Sequence, residues 1–388
     1  MQAPAQDGLR IAINAHLLSG QDSYRSAGVH QYILHLLQYL SSVDGEEMRF
    51  TALLGAEGLE PASDLRFLRS RWHTSRPSVR VLWEQLVQPR VLNQIEAHLV
   101  HAPVFVGPLV APCPVVTTIH DLSFIRFPHL FRRINRLYLT LMTRLSARRA
   151  RRLIAVSEHA ARETVHLLGV PREKIDVVYH GVDPAFRPLP ANQVATFRER
   201  QGLPHQFVLF VGTLEPRKNL RLLIEAFSRV YDGRIQLVLV GGKGWLYDDL
   251  FARVEELNLS AAVLFPGYVR SEELPLWYNA ATALAYPSLY EGFGMPVTEA
   301  QACGTPVLTS NQASLPEAAG EAALLVDPQN VEEIAAGLNQ LLNNSTLRMD
   351  LKERGLVHAR GFSWPRTVQQ TIQVYRRALA RGTEGEPQ

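Results

Sequence analysis

The densest group of residues that could do chemistry is the segment Pro287–Ala300, which reads Pro-Ser-Leu-Tyr-Glu-Gly-Phe-Gly-Met-Pro-Val-Thr-Glu-Ala. Its two glycines let the backbone approach a ligand closely, and Pro296 suits the first position of a helix. The amides of residues 292–295 would then point at an anion near the positive end of that helix. Glu291 is expected at the turn and Glu299 in the first helical turn, where a carboxylate could accept two hydrogen bonds from a sugar diol. The segment therefore predicts binding of an anion and of hydroxyl groups.

A second segment, Val211–Asn219, also leaves a predicted strand and enters a predicted helix. Arg217 and Lys218 would meet a phosphate as a planar fork and a point charge. Two cations are unfavourable at a helix N-terminus, so a bound anion would explain their position. We therefore expect phosphate binding here, while a solvated charge pair remains the alternative.

Two weaker signals lie nearer the N-terminus. His120 follows the strand pattern Val-Val-Thr-Thr-Ile and so is expected at a strand's carboxyl end, although a structural histidine is the usual interpretation of any one of the 13 histidines. Gly28 lies in a loop after the first predicted strand, which is the usual phosphate position of a βαβ unit. Both residues are candidates for contact with the ligand.

The elements that must position these residues alternate between short apolar runs and helical patterns. Helices are predicted over 29–40 and 220–230. Strands are predicted over 9–14, 115–119, 153–156, 175–179, 207–212, 235–240, 263–265, 283–286, 306–309 and 323–326. Continuous apolar strands separated by helices indicate parallel sheets that are covered on both faces. The strands form two series joined by the proline-rich stretch 181–204, which predicts two doubly wound domains whose ligand lies at the carboxyl ends of the strands, in a cleft.

Composition excludes several classes of protein. The chain has 388 residues, of which 46% are hydrophobic and 20% charged, so it is neither disordered nor collagen-like. Two cysteines cannot build a disulfide framework or a four-cysteine zinc site, and they fit a reducing compartment. A net charge of +3 gives no strong attraction for nucleic acid. The N-terminus lacks a signal-peptide pattern, and no window approaches the roughly 18 apolar residues of a membrane span, so we expect a cytoplasmic protein.

Together these segments resemble glycosyltransferase family 4, whose members are retaining enzymes with the GT-B fold. The family's hallmark is a glutamate, seven residues and a second glutamate ahead of a helix, and here these are Glu291 and Glu299. The segment from Gly212 to Asn219 is similar to the family's phosphate-binding segment. Further similar segments are Thr118–Asp121, Val156–His159, Ala313–Glu317 and Phe362–Trp364. The resemblance covers nearly the whole chain and implies an α/β fold of two Rossmann-like domains facing across a cleft.

The resemblance also implies roles for individual residues. Glu291 would hold hydroxyls of a donor sugar and support positive charge at its anomeric carbon, and Glu299 would bind the ribose. Arg217 and Lys218 would bind the diphosphate and stabilise it as it leaves, and His120 would contact the sugar or the acceptor. The remaining donor-binding residues would be Gly28, Thr213, Tyr268, Val269, Gly292, Phe293, Gly294 and Met295.

The implied domain boundaries follow from the same resemblance. An N-terminal, acceptor-side domain would span residues 1–181, and a donor-binding domain would span 182–363. The tail 364–388 would pack back on the first domain, burying Trp364, Val374 and Leu379.

The expected reaction is transfer of a sugar from a nucleotide-sugar donor to a glycan or lipid-linked acceptor. No acidic pair of the Asp-x-Asp type lies near the phosphate segment, so cations and amides would substitute for a metal, and no cofactor is expected. Similarity of the Gly212–Asn219 segment to bacterial mannosyltransferases of polysaccharide assembly favours GDP-mannose, and UDP-glucose or another UDP-sugar is the alternative.

Three other classes of protein compete with this interpretation. A dinucleotide-dependent oxidoreductase would need Gly-x-Gly-x-x-Gly, but the chain has Tyr247 where the third glycine belongs. A glycosidase could use Glu291 and Glu299 as paired carboxylates, but the phosphate segment would then have no role. A non-catalytic nucleotide-sugar binder remains the third alternative.

The stretch from Arg132 to Arg152 contains eight arginines and no acidic residue. On a helical projection, an arginine arc lies beside an apolar arc formed by Ile134, Leu137, Tyr138, Leu141, Met142 and Leu145. We expect the apolar arc to lie in the core. The arginine arc would either be a solvated face or bind an anionic membrane electrostatically, which would make the protein peripheral at the inner face of the membrane.

Overall fold

The computed structural model describes residues 8–18, 28–42, 47–60, 65–242, 244 and 248–380. Loop residues 25–27, Tyr247 and the tail beyond residue 380 lie outside this described part. The chain divides into two compact units. The first unit runs to Tyr179 and takes up the chain again from Trp364, and the second unit spans His180–Ser363. The first unit thus ends two residues before residue 181, which is the boundary expected from the sequence.

The described residues form parallel strands and helices in alternation. The strands are β1 (Leu9–Asn14), β2 (Met48–Leu54), β3 (Arg66–Arg69), β4 (Leu99–Ala102), β5 (Val115–Ile119), β6 (Arg152–Ala155), β7 (Ile175–Val177), β8 (Phe207–Val211), β9 (Gln236–Val240), β10 (Val263–Gly267), β11 (Ala283–Tyr286), β12 (Val307–Ser310) and β13 (Leu324–Val326). The helices are α1 (Val29–Ser41), α2 (Pro77–Leu82), α3 (Gln88–Gln94), α4 (Ser123–Arg126), α5 (Arg133–Arg149), α6 (Glu158–Leu168), α7 (Ala191–Gln201), α8 (Leu220–Val230), α9 (Asp248–Glu256), α10 (Leu274–Ala280), α11 (Met295–Ala302), α12 (Leu315–Ala319), α13 (Val331–Asn343), α14 (Ser345–Ala359) and α15 (Trp364–Leu379).

The sheet of the first unit has seven parallel strands in the order β3-β2-β1-β4-β5-β6-β7. The order reverses between β1 and β4, which makes the carboxyl ends of these strands the topological switch point where doubly wound sheets bind ligands. Most residues of the inner strands are buried because helices cover both faces of such sheets, whereas the four residues of edge strand β3 are exposed or partly buried.

Helix α15 completes the core of the first unit. Trp364, Val374 and Tyr375 are buried in that core, and Leu379 packs against it partly buried. The Tyr375 hydroxyl lies 2.7 Å from Nδ1 of the buried His101. The α15 helix therefore belongs structurally to the first unit, although the second unit precedes it in the chain.

The sheet of the second unit has six parallel strands in the order β10-β9-β8-β11-β12-β13. Its switch point lies between β8 and β11. The two segments that the sequence analysis assigned to phosphate and sugar binding directly follow these two strands. The predicted α/β class with two doubly wound domains is confirmed.

Two local expectations were wrong. The stretch 181–204 is more than a connection, because α7 lies within it and packs in the second unit, where the Phe197 ring contacts Trp277 at 5.1 Å between centroids. The strands β2, β3 and β4 were also missed. Their residues mix arginine, threonine or histidine into the apolar run, which hides the pattern of a buried strand.

The expectation that the apolar arc of α5 lies in the core is wrong. The buried residues of this helix are Thr143, Ser146 and Ala147. Small residues let a helix approach its neighbours closely, and the Ser146 hydroxyl accepts a hydrogen bond from the Gly107 amide at 3.1 Å. Most of the apolar arc, namely Ile134, Leu137, Leu141 and Leu145, is exposed instead, while Tyr138 and Met142 are half-buried.

None of the helices in the described part of the chain combines the length and the apolar character that crossing a membrane requires.

The packing of α15 predicts the consequence of removing its largest side chain. Trp364 is 1% exposed, so we expect Trp364→Ala to lower the free energy of unfolding of the first unit by about 3–5 kcal/mol. Val357→Ala removes an exposed apolar side chain from α14 and should change stability by less than about 0.5 kcal/mol. Urea unfolding followed by circular dichroism measures both, and equal midpoints for the two variants would contradict the assigned core.

Candidate functional site

A cluster of four charged residues, three of them buried and one partly buried, lies at the switch point of the six-stranded sheet. Glu215, Arg217 and Lys218 come from the loop after β8, and Glu291 comes from the loop after β11. The two loops also join through their backbones, since the Leu289 amide donates to the Arg217 carbonyl at 2.8 Å. Adjacent parallel strands end at the same edge of a sheet, so the topology brings these loops together.

Lys218 is the most deeply placed cation of this cluster. Its Nζ donates to Glu291 Oε1 and to the Tyr286 hydroxyl, each at 2.6 Å, and the Tyr286 hydroxyl donates to Glu291 Oε1 at 2.9 Å. Burial lowers the pKa of Lys218, while the adjacent Glu291 carboxylate opposes the shift. An ammonium group has three N–H donors, and the described residues engage two of them.

Arg217 bridges both carboxylates of the cluster. Its Nη1 donates to Glu291 Oε2 at 3.1 Å and to the Tyr290 carbonyl at 3.2 Å, and its Nε forms an ion pair with Glu215. The side chain is 20% exposed, compared with 8% for Lys218. The guanidinium is therefore the cation of the pair with more access to a ligand.

The cluster keeps Glu291 ionised. Burial alone would raise the pKa of this carboxyl, but Lys218 and Arg217 outweigh burial and lower the pKa to about 2. Glu291 is therefore a carboxylate at neutral pH. A fixed negative charge at this position can stabilise a developing positive charge nearby.

Neighbouring loops hold the cluster in place. The Asn219 side chain donates to the carbonyls of Pro287 at 3.1 Å and Pro328 at 2.6 Å, which ties three loops together. The Ser314 hydroxyl lies 2.9 Å from the carbonyl oxygens of both Glu291 and Phe293, and the two oxygens share its single O–H donor.

Gly294 directly precedes α11 with a φ of 107°, and a Cβ at Gly294 would lie 2.7 Å from a Leu315 side-chain carbon. Only glycine fits this position without displacement. Gly292 and Phe293 accordingly lie in a turn of fixed shape between Glu291 and α11, whose first residue is Met295.

Glu299 has a different environment from Glu291. It is the fifth residue of α11 and not in its first turn, because the helix begins at Met295. Burial raises the pKa of Glu299 to about 7, although the Tyr278 hydroxyl, which donates to its Oε2 at 2.8 Å, opposes the shift. The two glutamates of the hallmark thus carry different charge near pH 6.

The other predicted donor-binding residues of the second unit lie at the same sheet edge. Thr213 lies in the loop that follows β8. The backbone of the preceding residue, Gly212, packs closely on Gly241, since a Cβ at Gly241 would lie 1.9 Å from the Gly212 oxygen. Tyr268 and Val269 follow β10, two strands away from β8. At about 4.8 Å per strand this is about 10 Å from the end of β8.

His120 and Gly28 lie in the first unit. His120 is buried at the end of β5, and its Nε2 donates to the Pro103 carbonyl at 2.8 Å. Burial lowers the pKa of His120, so the imidazole is neutral at pH 7. Gly28 precedes α1 with a φ of 56°, which is a conformation that favours glycine. Contact of either residue with a donor stays a prediction.

A polar cluster after β1 was not anticipated from the sequence. The Asn14 side chain donates to Glu84 Oε1 at 3.1 Å, and His16 packs on Trp83 with 3.9 Å between ring centroids. Burial raises the pKa of Glu84 to about 7. Trp83 and Glu84 begin a π-helical turn, Trp83–Val87, and such turns are frequent at functional sites.

The described residues contain no group of three or more His, Cys, Asp or Glu side chains arranged to hold a metal ion. Independence from a metal remains a prediction about the reaction.

Comparison with known proteins identifies the family. The model for Glycosyltransferase Family 4 matches residues 26–186, and the model for Glycosyl transferases group 1 matches residues 194–357. The O-antigen chain mannosyltransferase B of Escherichia coli is 34% identical over 300 residues, which cover 75% of this chain and 78% of that protein. The chain belongs to glycosyltransferase family 4. It is therefore a glycosyltransferase, and the oxidoreductase and glycosidase interpretations do not hold.

Two further comparisons add a relative and the fold. The serotype-specific mannosyltransferase WbdA of Escherichia coli is 28% identical over 243 residues, which are 61% of this chain but only 30% of that longer protein. The structure of a sucrose-phosphate synthase from Thermosynechococcus elongatus superposes with a TM-score of 0.78 at 22% identity, covering 95% of this chain and 98% of that one. The predicted GT-B fold class is confirmed.

Sequence reasoning missed several residues that complete the charged cluster. Glu215, Tyr286 and Ser314 all lie within segments that the resemblance covered, yet no role was expected for them. The available signal for Glu215 was its position two residues before Arg217 in a buried loop. Tyr286 is the last residue of a buried strand, where its hydroxyl needs a polar partner.

The raised pKa of Glu299 predicts how donor binding depends on pH. A neutral carboxyl accepts hydrogen bonds less well than a carboxylate, so affinity for a nucleotide sugar should rise up to about 10-fold from pH 6 to pH 8, as Glu299 ionises around pH 7. An intact nucleotide sugar lacks the terminal phosphate that titrates near pH 6. Isothermal titration calorimetry at the two pH values measures the effect.

Glu299→Gln should bind the nucleotide sugar more weakly at pH 8 and show little change with pH. Glu353→Gln, at an exposed position of α14, should behave as the unmodified protein. A wild-type affinity that does not change between pH 6 and pH 8 argues against ribose binding by Glu299.

Proposed function

We propose that this glycosyltransferase is a retaining hexosyltransferase that moves a sugar from a nucleotide-sugar donor to a glycan or lipid-linked acceptor. The observation that supports it most is the buried cluster of Arg217, Lys218 and Glu291 at the switch point of the second unit. It puts two cations and one permanent carboxylate at the sheet edge where doubly wound folds bind nucleotides.

The cluster suits the charges that develop during glycosyl transfer. Negative charge grows on the departing diphosphate, and Arg217 together with the third N–H of Lys218 would stabilise it. Positive charge grows on the anomeric carbon, and the ionised Glu291 would lie close to it. Because the cations are already fixed by Glu215 and Glu291, they need little reorganisation when charge develops.

Retention follows if the acceptor attacks on the face that the diphosphate leaves. In this proposal a departing phosphate oxygen takes the proton of the acceptor hydroxyl. Arg217 and Lys218 take the place of a metal, and Glu299 holds the ribose while the amides of residues 292–295 hold sugar and phosphate. His120 contacts the sugar or the acceptor.

GDP-mannose is the donor we favour. The Gly212–Asn219 segment resembles that of mannosyltransferases, and a relative at 34% identity is named as an O-antigen chain mannosyltransferase. The acceptor would then be a growing polysaccharide chain at the cytoplasmic face of the membrane. A UDP-sugar remains the alternative donor.

Substitution of the two cations tests the phosphate role. Arg217→Ala and Lys218→Ala should each lower turnover at least about 100-fold, because each removes a preorganised charge from the leaving diphosphate. Arg221→Ala, which removes an exposed arginine from the adjoining helix α8, is the matched control and should stay near wild-type activity. Circular dichroism confirms that each variant is folded.

Undiminished turnover of the Arg217→Ala, Lys218→Ala double variant would refute the phosphate role. The same assay in EDTA is expected to give unchanged turnover, and a loss that Mg²⁺ restores would refute the metal-independent mechanism.

Calorimetry with GDP, UDP and ADP tests the donor base. We expect GDP to bind most tightly of the three. Lys218→Ala should weaken GDP binding because Lys218 would contact the diphosphate, which all three ligands share. Tighter binding of UDP than GDP would overturn GDP-mannose but leave glycosyl transfer intact.

A further inference from the structure

The amphipathic helix α5 presents its large apolar side chains to solvent. Ile134 is 82% exposed, Leu137 69%, Leu141 54% and Leu145 36%. At about 100° per residue these four positions fall within an arc of about 80° on the helix. These four side chains form an apolar stripe along the helix.

The buried face of α5 lies opposite the apolar stripe. Thr143, Ser146 and Ala147 are its buried residues, and on the same projection their centre is about 180° from that of the stripe. A surface helix of a globular protein normally turns its large apolar residues inward. The reversed orientation of α5 leaves the stripe unpartnered within the described part of the chain.

Further apolar side chains are exposed on segments next to α5. Leu86 lies in the π-helical turn and Leu82 directly before it. Val110 lies in the loop between β4 and β5. The Gln85 side chain hydrogen-bonds the backbone of Gly107 and Leu109, and Arg149 at the end of α5 donates to the Leu109 carbonyl at 3.2 Å. The loop with Val110 therefore connects the π-helical turn to the end of α5.

The charged residues on the chain segment that carries the apolar stripe have one sign. From Leu122 to Ser157 the chain contains nine arginines and no aspartate or glutamate. Arg133, Arg144 and Arg148 are exposed, and on the same projection the first two lie beside the stripe and Arg148 lies within its arc. On the neighbouring segment 76–92 the charged residues are three arginines and the buried Glu84.

We propose that α5 lies in the interfacial plane of an anionic phospholipid membrane, with the apolar stripe inserted among the lipid chains and the flanking arginines on the headgroups. An apolar face with a basic border matches the charge and polarity of that interface. The contact differs from a purely electrostatic one because part of its free energy comes from buried apolar surface, which salt does not screen.

The proposal is independent of the donor and of the reaction. Vesicle binding needs no nucleotide sugar, and transfer to a water-soluble acceptor needs no membrane. Failure of one can therefore be told apart from failure of the other.

Sedimentation with vesicles of phosphatidylethanolamine and phosphatidylglycerol tests the insertion. The combined substitution Ile134→Ser, Leu137→Ser and Leu141→Ser should lower the partition coefficient at least ~10-fold. The matched control, Met349→Ser with Val357→Ser, removes two exposed apolar side chains of α14 in the other unit and should bind as wild type. The stripe variant should keep transfer to a soluble acceptor.

Salt separates insertion from electrostatic binding. At about 1 M salt, where the screening length is about 3 Å, wild-type binding should fall but persist, and the stripe variant should stay in the supernatant. A stripe variant that binds like wild type at low salt overturns the proposal. So does a wild-type protein that stays in the supernatant at low salt.

A fluorescent label gives a second test. Both native cysteines, Cys113 and Cys303, are buried, so Leu137→Cys can be labelled selectively with an environment-sensitive dye. Its emission should shift to the blue with anionic vesicles, but not for the same label at Val357→Cys or with phosphatidylcholine vesicles. An unchanged spectrum, or a lipid-free dimer that the stripe variant abolishes, overturns the assignment to membrane.

Discussion

The structure of the second unit depends on a salt-bridge cluster in which two cations and two carboxylates compensate one another. Glu215, Arg217, Lys218 and Glu291 carry a net charge of zero in a buried site. Burying a lone ion costs several kcal/mol, so each of these groups requires the others. The lowered pKa of Glu291 means that its stabilising contribution is present above pH 4.5 and is lost as the pH falls toward about 2.

The doubly wound topology makes this cluster possible. Lys218 and Glu291 are far apart in the chain, and they meet because β8 and β11 are neighbours whose carboxyl ends lie together. Asn219 and Ser314 then fix the loops through buried hydrogen bonds. The result is a pair of cations whose positions are set before any ligand arrives, which is the condition for electrostatic stabilisation of a leaving group without large reorganisation.

The sequence was informative where chemistry follows an apolar strand directly. The loops with Arg217 and with Glu291 could be predicted because each continues a buried apolar run into glycines and charges. The direct pairing of Lys218 with Glu291 could not be predicted, because it depends on side-chain directions in two loops that only the sheet brings together. Glu299 was expected in the first turn of α11 but is its fifth residue, because the helix begins at Met295, one residue before Pro296. The outward stripe of α5 escaped prediction because small residues decide which face packs, against the usual direction of the apolar arc.

The most direct test of the account is a crystal structure of the protein with bound GDP. We expect β-phosphate oxygens within about 3.2 Å of both Lys218 Nζ and the Arg217 guanidinium, with the Lys218–Glu291 hydrogen bond retained. A nucleotide whose phosphates lie at another sheet edge, with Arg217 and Lys218 in contact only with Glu215 and Glu291, would contradict the role of the cluster in glycosyl transfer.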